Sequence, residues 1–199
     1  VETNVLGTQT LLDYVKNNKN IKFVQVSTDE VYGDVKQGSS KETDALNPSS
    51  PYSASKAAAD MLVLSYVRTH NITASITRGA NTYGPNQYPE KLIPVAIKQA
   101  VAGNKIPVYG DGEQIREWLY VQDHVSAIYN VLKHGRAGEI YNIGGEPQKN
   151  IEIVKMILDH LKSKSGYGFV HDRPGHDLRY SVDSAKIQNE LLWSRAFTL

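Results

Sequence analysis

The chain has 199 residues, 40% hydrophobic, 22% charged and 9% aromatic, and its 22 basic side chains against 21 acidic ones leave a net charge of +1. Those fractions belong to a soluble folded protein and exclude disorder, collagen and coiled coil, while the near-zero charge leaves no field to draw nucleic acid or an anionic membrane. Cysteine is absent, which excludes disulfides and thiol chemistry, and no apolar run approaches the ~18 residues of a membrane span, so a cytoplasmic protein is expected.

Val1 to Asn17 reads as the interior of a helix with Val5, Leu11, Leu12 and Val15 on its apolar side. No cap precedes it, so the sequence reads as part of a longer chain. Ile21 to Ser27 is rich in β-branched residues and predicts a strand, and Tyr52 to His70 predicts a helix whose first turns are small. Ala74 to Thr77 is a second strand, followed by a loop of Gly, Asn and Pro over residues 79–90. A helix over Leu92 to Ala102, an extended run Ile106 to Tyr109 and a turn at Gly110-Asp111-Gly112 come next. Trp118 to Val121 reads as a short strand, Asp123 to His134 as a helix, Glu139 to Ile143 as a strand and Ile151 to Lys162 as a helix. This alternation predicts an α/β layered fold with a parallel sheet, in which ligands sit beyond the carboxyl ends of the strands. The loops after Ser27, Arg78 and Ile143 are therefore the candidate site.

Two constellations fall there. Tyr52-Ser53-Ala54-Ser55-Lys56 opens a helix, and residues four apart share a helix face, so the ammonium can sit near the phenol and favour its ionisation. A surface Tyr and Lys on an ordinary helix is the plainer alternative. Ser27-Thr28-Asp29-Glu30-Val31-Tyr32-Gly33 puts two adjacent carboxyl groups where the first strand ends. One Asp is ordinary in a turn; the added Glu suggests an acid and a base whose surroundings push their pKa values apart.

Together these residues resemble the nucleotide-sugar 4,6-dehydratases of the extended short-chain dehydrogenase/reductase family, in particular those acting on dTDP-glucose. The likeness continues through Asn81-Thr82-Tyr83-Gly84-Pro85, Pro89 to Pro94, Tyr109 to Gly112, Arg116 to Tyr120, Tyr141 to Gly145 and Asp172 to His176. It implies a Rossmann-type, doubly wound parallel sheet lacking its first strands, in an NAD-binding domain over residues 1–90. A smaller α/β nucleotide-sugar-binding domain would cover 91–199, with about 121–145 returning to the first. By the same resemblance Tyr52 takes the sugar O4 proton, Lys56 holds the nicotinamide ribose and lowers the Tyr52 pKa, Glu30 removes the C5 proton, Asp29 protonates the departing C6 hydroxyl and Thr28 bonds near O4. Ser27 and Thr82 join Tyr52 and Lys56 around NAD. Thr28, Asn81, Lys91, Leu92, Pro107, Val108, Tyr109, Arg116, Asn150 and the run Asp172, Arg173, Pro174, Gly175, His176 would face the nucleotide sugar. A homodimer through the helices at 1–17 and 52–70 is also implied.

An arginine has the fork geometry a diphosphate needs, which suits Arg116 and Arg173, although a surface ion pair is the plainer reading of either alone. Tyr83 and Tyr109 are open to two readings, stacking on a base or ribose and packing in the core. The His171-Asp172 and His176-Asp177 pairs lack partner ligands at usable spacing, so no metal is expected. Two departures stand out. Thr82 occupies a position where the family has Asn, and none of the 15 glycines forms the phosphate-cradling G-x-G-x-x-G motif. Three readings follow: a dehydratase, a 4-epimerase that shares Tyr-x-x-x-Lys but has no use for Asp29 beside Glu30, and a non-catalytic nucleotide-sugar-binding protein. A uridine nucleotide is the alternative to thymidine.

Overall fold

A computed structural model describes residues 1–199. A π-helical turn (Glu2–Leu6) runs into α1 (Gly7–Asn17), followed by β1 (Lys22–Thr28), a 3-10 turn (Asp29–Tyr32), α2 (Pro51–His70), β2 (Thr73–Gly79), β3 (Asn81–Tyr83) and α3 (Leu92–Val101). Then come β4 (Ile106–Tyr109), β5 (Ile115–Tyr120), α4 (Val121–His134), β6 (Ile140–Ile143), β7 (Glu146–Lys149), α5 (Asn150–His160), β8 (Tyr167–Val170) and α6 (Ala185–Leu191).

The main sheet is parallel throughout, in the order β1-β2-β6, with Thr28 opposite Gly79 and Gly79 opposite Ile143 at its carboxyl edge. Alternation along the strands sends side chains to two faces. Phe23, Ala74 and Ile76 meet Leu12, Val15 and Val63 from α1 and α2. On the other face Val24, Tyr141 and Ile143 meet Ala127 and Val131 of α4 and Ile187 of α6. Helices on both faces of a parallel sheet make this the doubly wound α/β fold expected. Each fully buried aliphatic side chain here is worth about 1.5–3 kcal/mol. A second core, built from Ala96, Ala100, Ile106, Val108, Ile151, Val154 and Leu158, joins α3 and α5 to the parallel pair β4-β8. Between the two cores lies a small mixed sheet, β3-β5-β7, parallel at β3-β5 and antiparallel at β5-β7.

Helix α2 starts where it does for local reasons. The Ser50 hydroxyl accepts from the Ser53 N–H and the Ser53 hydroxyl accepts from the Ser50 N–H, both at 3.1 Å, and Pro51 supplies a preset φ in the first turn. The helix ends at Asn71, in the left-handed region at φ 51°.

Three strands lie outside the sequence expectation. β3 sits in the segment read as loop, because its pairing of Asn81 with Trp118 is long-range and its composition is polar. β7 carries Pro147, which an edge strand tolerates. β8 exists by pairing with β4. On α1 and α2, Leu12 and Val15 are core, and Leu62 and Leu64 pack against it; Leu11 is 55% exposed and Met61 47%. No helix is long and apolar enough to cross a membrane.

Candidate active site

The carboxyl edge of the main sheet carries Ser27 and Thr28, followed at once by Asp29 and Glu30. Thr28 is the last residue of β1 and caps the 3-10 turn: its Oγ1 accepts from the Glu30 N–H at 3.3 Å and donates to Asp29 Oδ1 at 3.2 Å. The turn closes on Gly33, whose φ of 74° favours glycine and where a Cβ would stand 2.1 Å from the Asn47 carbonyl oxygen. Asp29 is 2% exposed, and its Oδ2 has no hydrogen-bond partner. Burial, with Glu30 and Glu117 nearby, pushes its carboxyl up to about 7. Burial also raises Glu30, but there Arg116, Arg173 and Lys91 oppose the rise. Both carboxyl groups are thus raised by burial, and the set of charges opposing the rise differs between them: Arg116 at Asp29, and Arg116, Arg173 and Lys91 at Glu30.

Tyr52, 51% exposed in the first turn of α2, feels both carboxyl groups. Its phenol is raised by burial first and by Glu30 and Asp29 after it. Lys56 shares the helix face, yet its Nζ donates to the Val26 carbonyl at 2.6 Å and takes no part in lowering Tyr52. Burial in turn lowers Lys56 itself.

Arg116 of β5 is buried, and its fork is turned to backbone: Nη1 donates to the Ile115 carbonyl at 2.8 Å and Nη2 to that of Asp177 at 2.8 Å. Its guanidinium carbon stacks 4.2 Å from the Tyr180 ring centroid. Its charge reaches Asp29 and Glu30. Arg173 lies on the exposed loop 172–176, in which His176 Nδ1 and Asp172 Oδ1 are 2.6 Å apart and Gln114 Nε2 donates to Asp172 Oδ2 at 3.1 Å. The same loop carries Pro174, and Gly175 at φ 66°.

Lys91 caps α3, and Leu92 packs on the second core. Asn150 opens α5, with its N–H donating to the Gln114 carbonyl. On β4, Pro107 and Tyr109 flank Val108, which is 2% exposed in the second core and offers a ligand only its backbone. Asn81 begins β3, and Tyr83 lies 5.5 Å from Tyr120, packed ring to ring. The Thr82 hydroxyl lies 2.6 Å from His124 Nδ1, so it is engaged within the protein. Sequence reasoning missed Glu117, whose buried carboxylate accepts from Ser181 Oγ at 2.6 Å and the Gly145 N–H at 3.2 Å, and Asp177, which accepts from Ser49 Oγ and Tyr180 Oη. A carboxylate between two large buried residues of one strand was the available hint.

The family model described as GDP-mannose 4,6 dehydratase matches residues 1–199. A dTDP-glucose 4,6-dehydratase of Streptomyces griseus is 50% identical over 201 residues, covering 100% of this chain and 61% of the relative. The crystal structure of dTDP-glucose 4,6-dehydratase from Bacillus anthracis in complex with NAD superposes with a TM-score of 0.95 at 50% identity, over 99% of this chain and 64% of that one. The Streptomyces venezuelae dTDP-glucose 4,6-dehydratase with NAD and TYD bound gives 0.96 at 47% identity, over 100% and 62%. The chain thus spans less than two thirds of the length of these relatives. A family match over every residue, at this identity and with this fold, places the chain in the GDP-mannose 4,6 dehydratase family.

Proposed function

We propose that this chain carries the proton-transfer groups and the sugar-facing wall of an NAD-dependent dehydratase that converts dTDP-glucose to its 4-keto-6-deoxy form. The carrying observation is the turn at Asp29 and Glu30: one carboxyl buried and raised to about 7, the next opposed in its rise by three cations, and the Tyr52 phenol within the field of both. Loss of water across C5 and C6 needs a base at one carbon and an acid at the next; inversion at C4 needs neither. Relatives at 47% and 50% identity bear the dTDP-glucose name, which favours thymidine over uridine.

The residues fit the cofactor. Ser27 Oγ is buried without a hydrogen-bond partner at the end of β1, and Lys56 reaches the same edge of the parallel sheet, where ligands of this architecture bind. Ser27, Tyr52 and Lys56 would hold NAD, with Thr82 reached through the backbone beside it. NAD, when bound, supplies the two-electron oxidation at C4 and the matching reduction at C6. Tyr52, ionised to the phenolate, takes the O4 proton. Glu30 then removes the C5 proton, made acidic by the new ketone. Asp29, protonated near neutral pH, gives its proton to the C6 oxygen as water leaves, and Thr28 holds Asp29 Oδ1 in place. Arg116 and Arg173 supply positive charge on the sugar side. Asn81, Lys91, Leu92, Pro107, Tyr109, Asn150 and the 172–176 loop complete that wall, with Val108 contributing backbone.

The protein would act as a cytoplasmic homodimer. Exposed Leu6, Leu11 and Tyr14 on the first helix and Met61 on α2 would meet a second copy. The test is NMR of the full-length protein with NAD+ and dTDP-glucose in D2O. A 4-keto-6-deoxy product carrying deuterium at C5 is expected. A C4 epimer with no deuterium at C5 would overturn the reading.

A further inference from the structure

Arg78 stands at the centre of a buried polar chain that the chemistry above does not use. The side chains of Arg78 and Asp60 are 1% and 0% exposed, and Nε donates to Asp60 Oδ2 at 3.0 Å. Nη1 donates to the Tyr32 oxygen at 2.7 Å, and the Tyr32 hydroxyl donates to Asn142 Oδ1 at 2.8 Å. The guanidinium carbon also lies 4.8 Å from the Tyr32 ring centroid. Asn142 continues the chain, with Nδ2 donating to the Ser40 carbonyl at 2.9 Å and its N–H to Glu42 Oε1 at 2.9 Å.

The ends of this chain are informative. Asp60 lies on α2 one turn beyond Lys56 and two beyond Tyr52, at a spacing that keeps all three on one helix face. Tyr32 is the last residue of the 3-10 turn that holds Asp29 and Glu30. A buried ion pair is a poor device for stability, because desolvation offsets its attraction and an apolar pair of the same size commonly does as well. What a guanidinium fork adds is fixed geometry, since its donors lie in one plane at set angles.

We propose that Arg78 is a positioning residue: the chain Asp60–Arg78–Tyr32–Asn142 fixes the helix bearing Tyr52 and Lys56 against the turn bearing Asp29 and Glu30. The inference rests on the dehydratase reading, in which one sugar must be reached at O4 from the helix and at C5 and C6 from the turn. The two segments belong to different elements; Ala57 packs on Val31 and Tyr32 between them, and the polar chain adds directional bonds to that apolar contact. Relative placement then decides whether a sugar oxidised at C4 goes on to lose water, and a misplacement of about 1 Å costs on the order of 10²-fold in rate.

Two substitutions in the full-length protein test this. Arg78→Lys keeps the charge and removes the fork; Tyr32→Phe removes one hydroxyl and keeps the ring beneath the guanidinium. With dTDP-glucose, kcat should fall roughly tenfold or more in each, with KM within about twofold. In single turnovers, C4 oxidation followed by NADH absorbance should outrun product formation, so that oxidised sugar builds up. A purely structural role would lower the melting temperature and leave kcat and this partition unchanged in the folded fraction, which overturns the proposal. If Arg78→Lys does not fold, the Tyr32→Phe result decides. Hydrogen exchange gives a reading independent of activity: amides of residues 29–33 and 52–57 should both exchange faster in Tyr32→Phe, and wild-type exchange in both overturns the clamp. A wild type that forms no 4-keto-6-deoxy sugar counts against the dehydratase reading alone, leaving the exchange result to judge the clamp.

Discussion

Asp29 and Glu30 are consecutive in a single 3-10 turn, yet Asp29 is 2% exposed with an unpartnered Oδ2, while Glu30 lies in the field of Arg116, Arg173 and Lys91. In the dehydratase proposed above, Asp29 can give a proton only while it holds one, up to about pH 7. The kcat of the full-length enzyme should fall as pH rises above about 7, because Asp29 ionises and has no proton to give the C6 oxygen. Asp29→Asn should lower kcat by about 10² to 10⁴-fold and abolish that alkaline limb. Rate profiles from acid to alkaline pH for both proteins check this; an unchanged limb in the variant assigns it to another group.

The same burial carries a stability consequence with a definite sign. Folding raises the Asp29 carboxyl from 3.8 to about 7, so the folded chain binds a proton that the unfolded chain has released over that range. The contribution is fully present below the unfolded value and is lost as pH rises through about 7. Asparagine has no such linkage. Relative to wild type, Asp29→Asn should gain stability on going from about pH 4 to about pH 7, on the order of 1 kcal/mol per pH unit. Urea midpoints at acid and alkaline pH measure it, and parallel pH dependence in the two proteins would refute it.

Gly33→Ala should cost about 3 kcal/mol or more. The left-handed φ of 74° and the Asn47 carbonyl oxygen 2.1 Å from a built Cβ act together, so relaxing one leaves the other. The damage falls on the turn that carries Asp29 and Glu30, so kcat should drop with stability. Chemical denaturation alongside steady-state kinetics checks both.

What the sequence reveals of this protein divides by range. The start of α2 is legible because Ser50, Pro51 and Ser53 act within four residues, and Asp29 beside Glu30 is legible because adjacency needs no fold. The strand β3 is hidden because Asn81 finds its partner Trp118 across 37 positions. Lys56 is half legible: helical spacing puts it on the face of Tyr52, but the Val26 carbonyl that captures its amine lies 30 residues away. Arg78 reads as an ordinary charge in a strand, since nothing local announces Asp60 and Tyr32 as its partners. Glu117 is hidden for the same reason, its two donors being Ser181 and Gly145.

Tyr52 has neighbours of both charge signs. Helical spacing alone assigns control of its phenol to Lys56, whose cation would favour the phenolate. In the structure the amine donates to the Val26 carbonyl, and Tyr52 is under burial and the fields of Glu30 and Asp29, all of which favour the neutral phenol. Removing a nearby negative charge eases formation of a phenolate, so Glu30→Gln should lower the Tyr52 pKa, and Asp29→Asn should lower it less, in the order of their influence. Lys56→Ala should leave it where it is in the protein without cofactor. Tyrosine labelled with carbon-13 at Cζ, assigned through Tyr52→Phe, reports the titration directly. If Lys56→Ala instead raises the Tyr52 pKa while Glu30→Gln does not move it, the lysine governs the phenol. The adjacent carboxylates would then matter to the proton transfers at C5 and C6 alone.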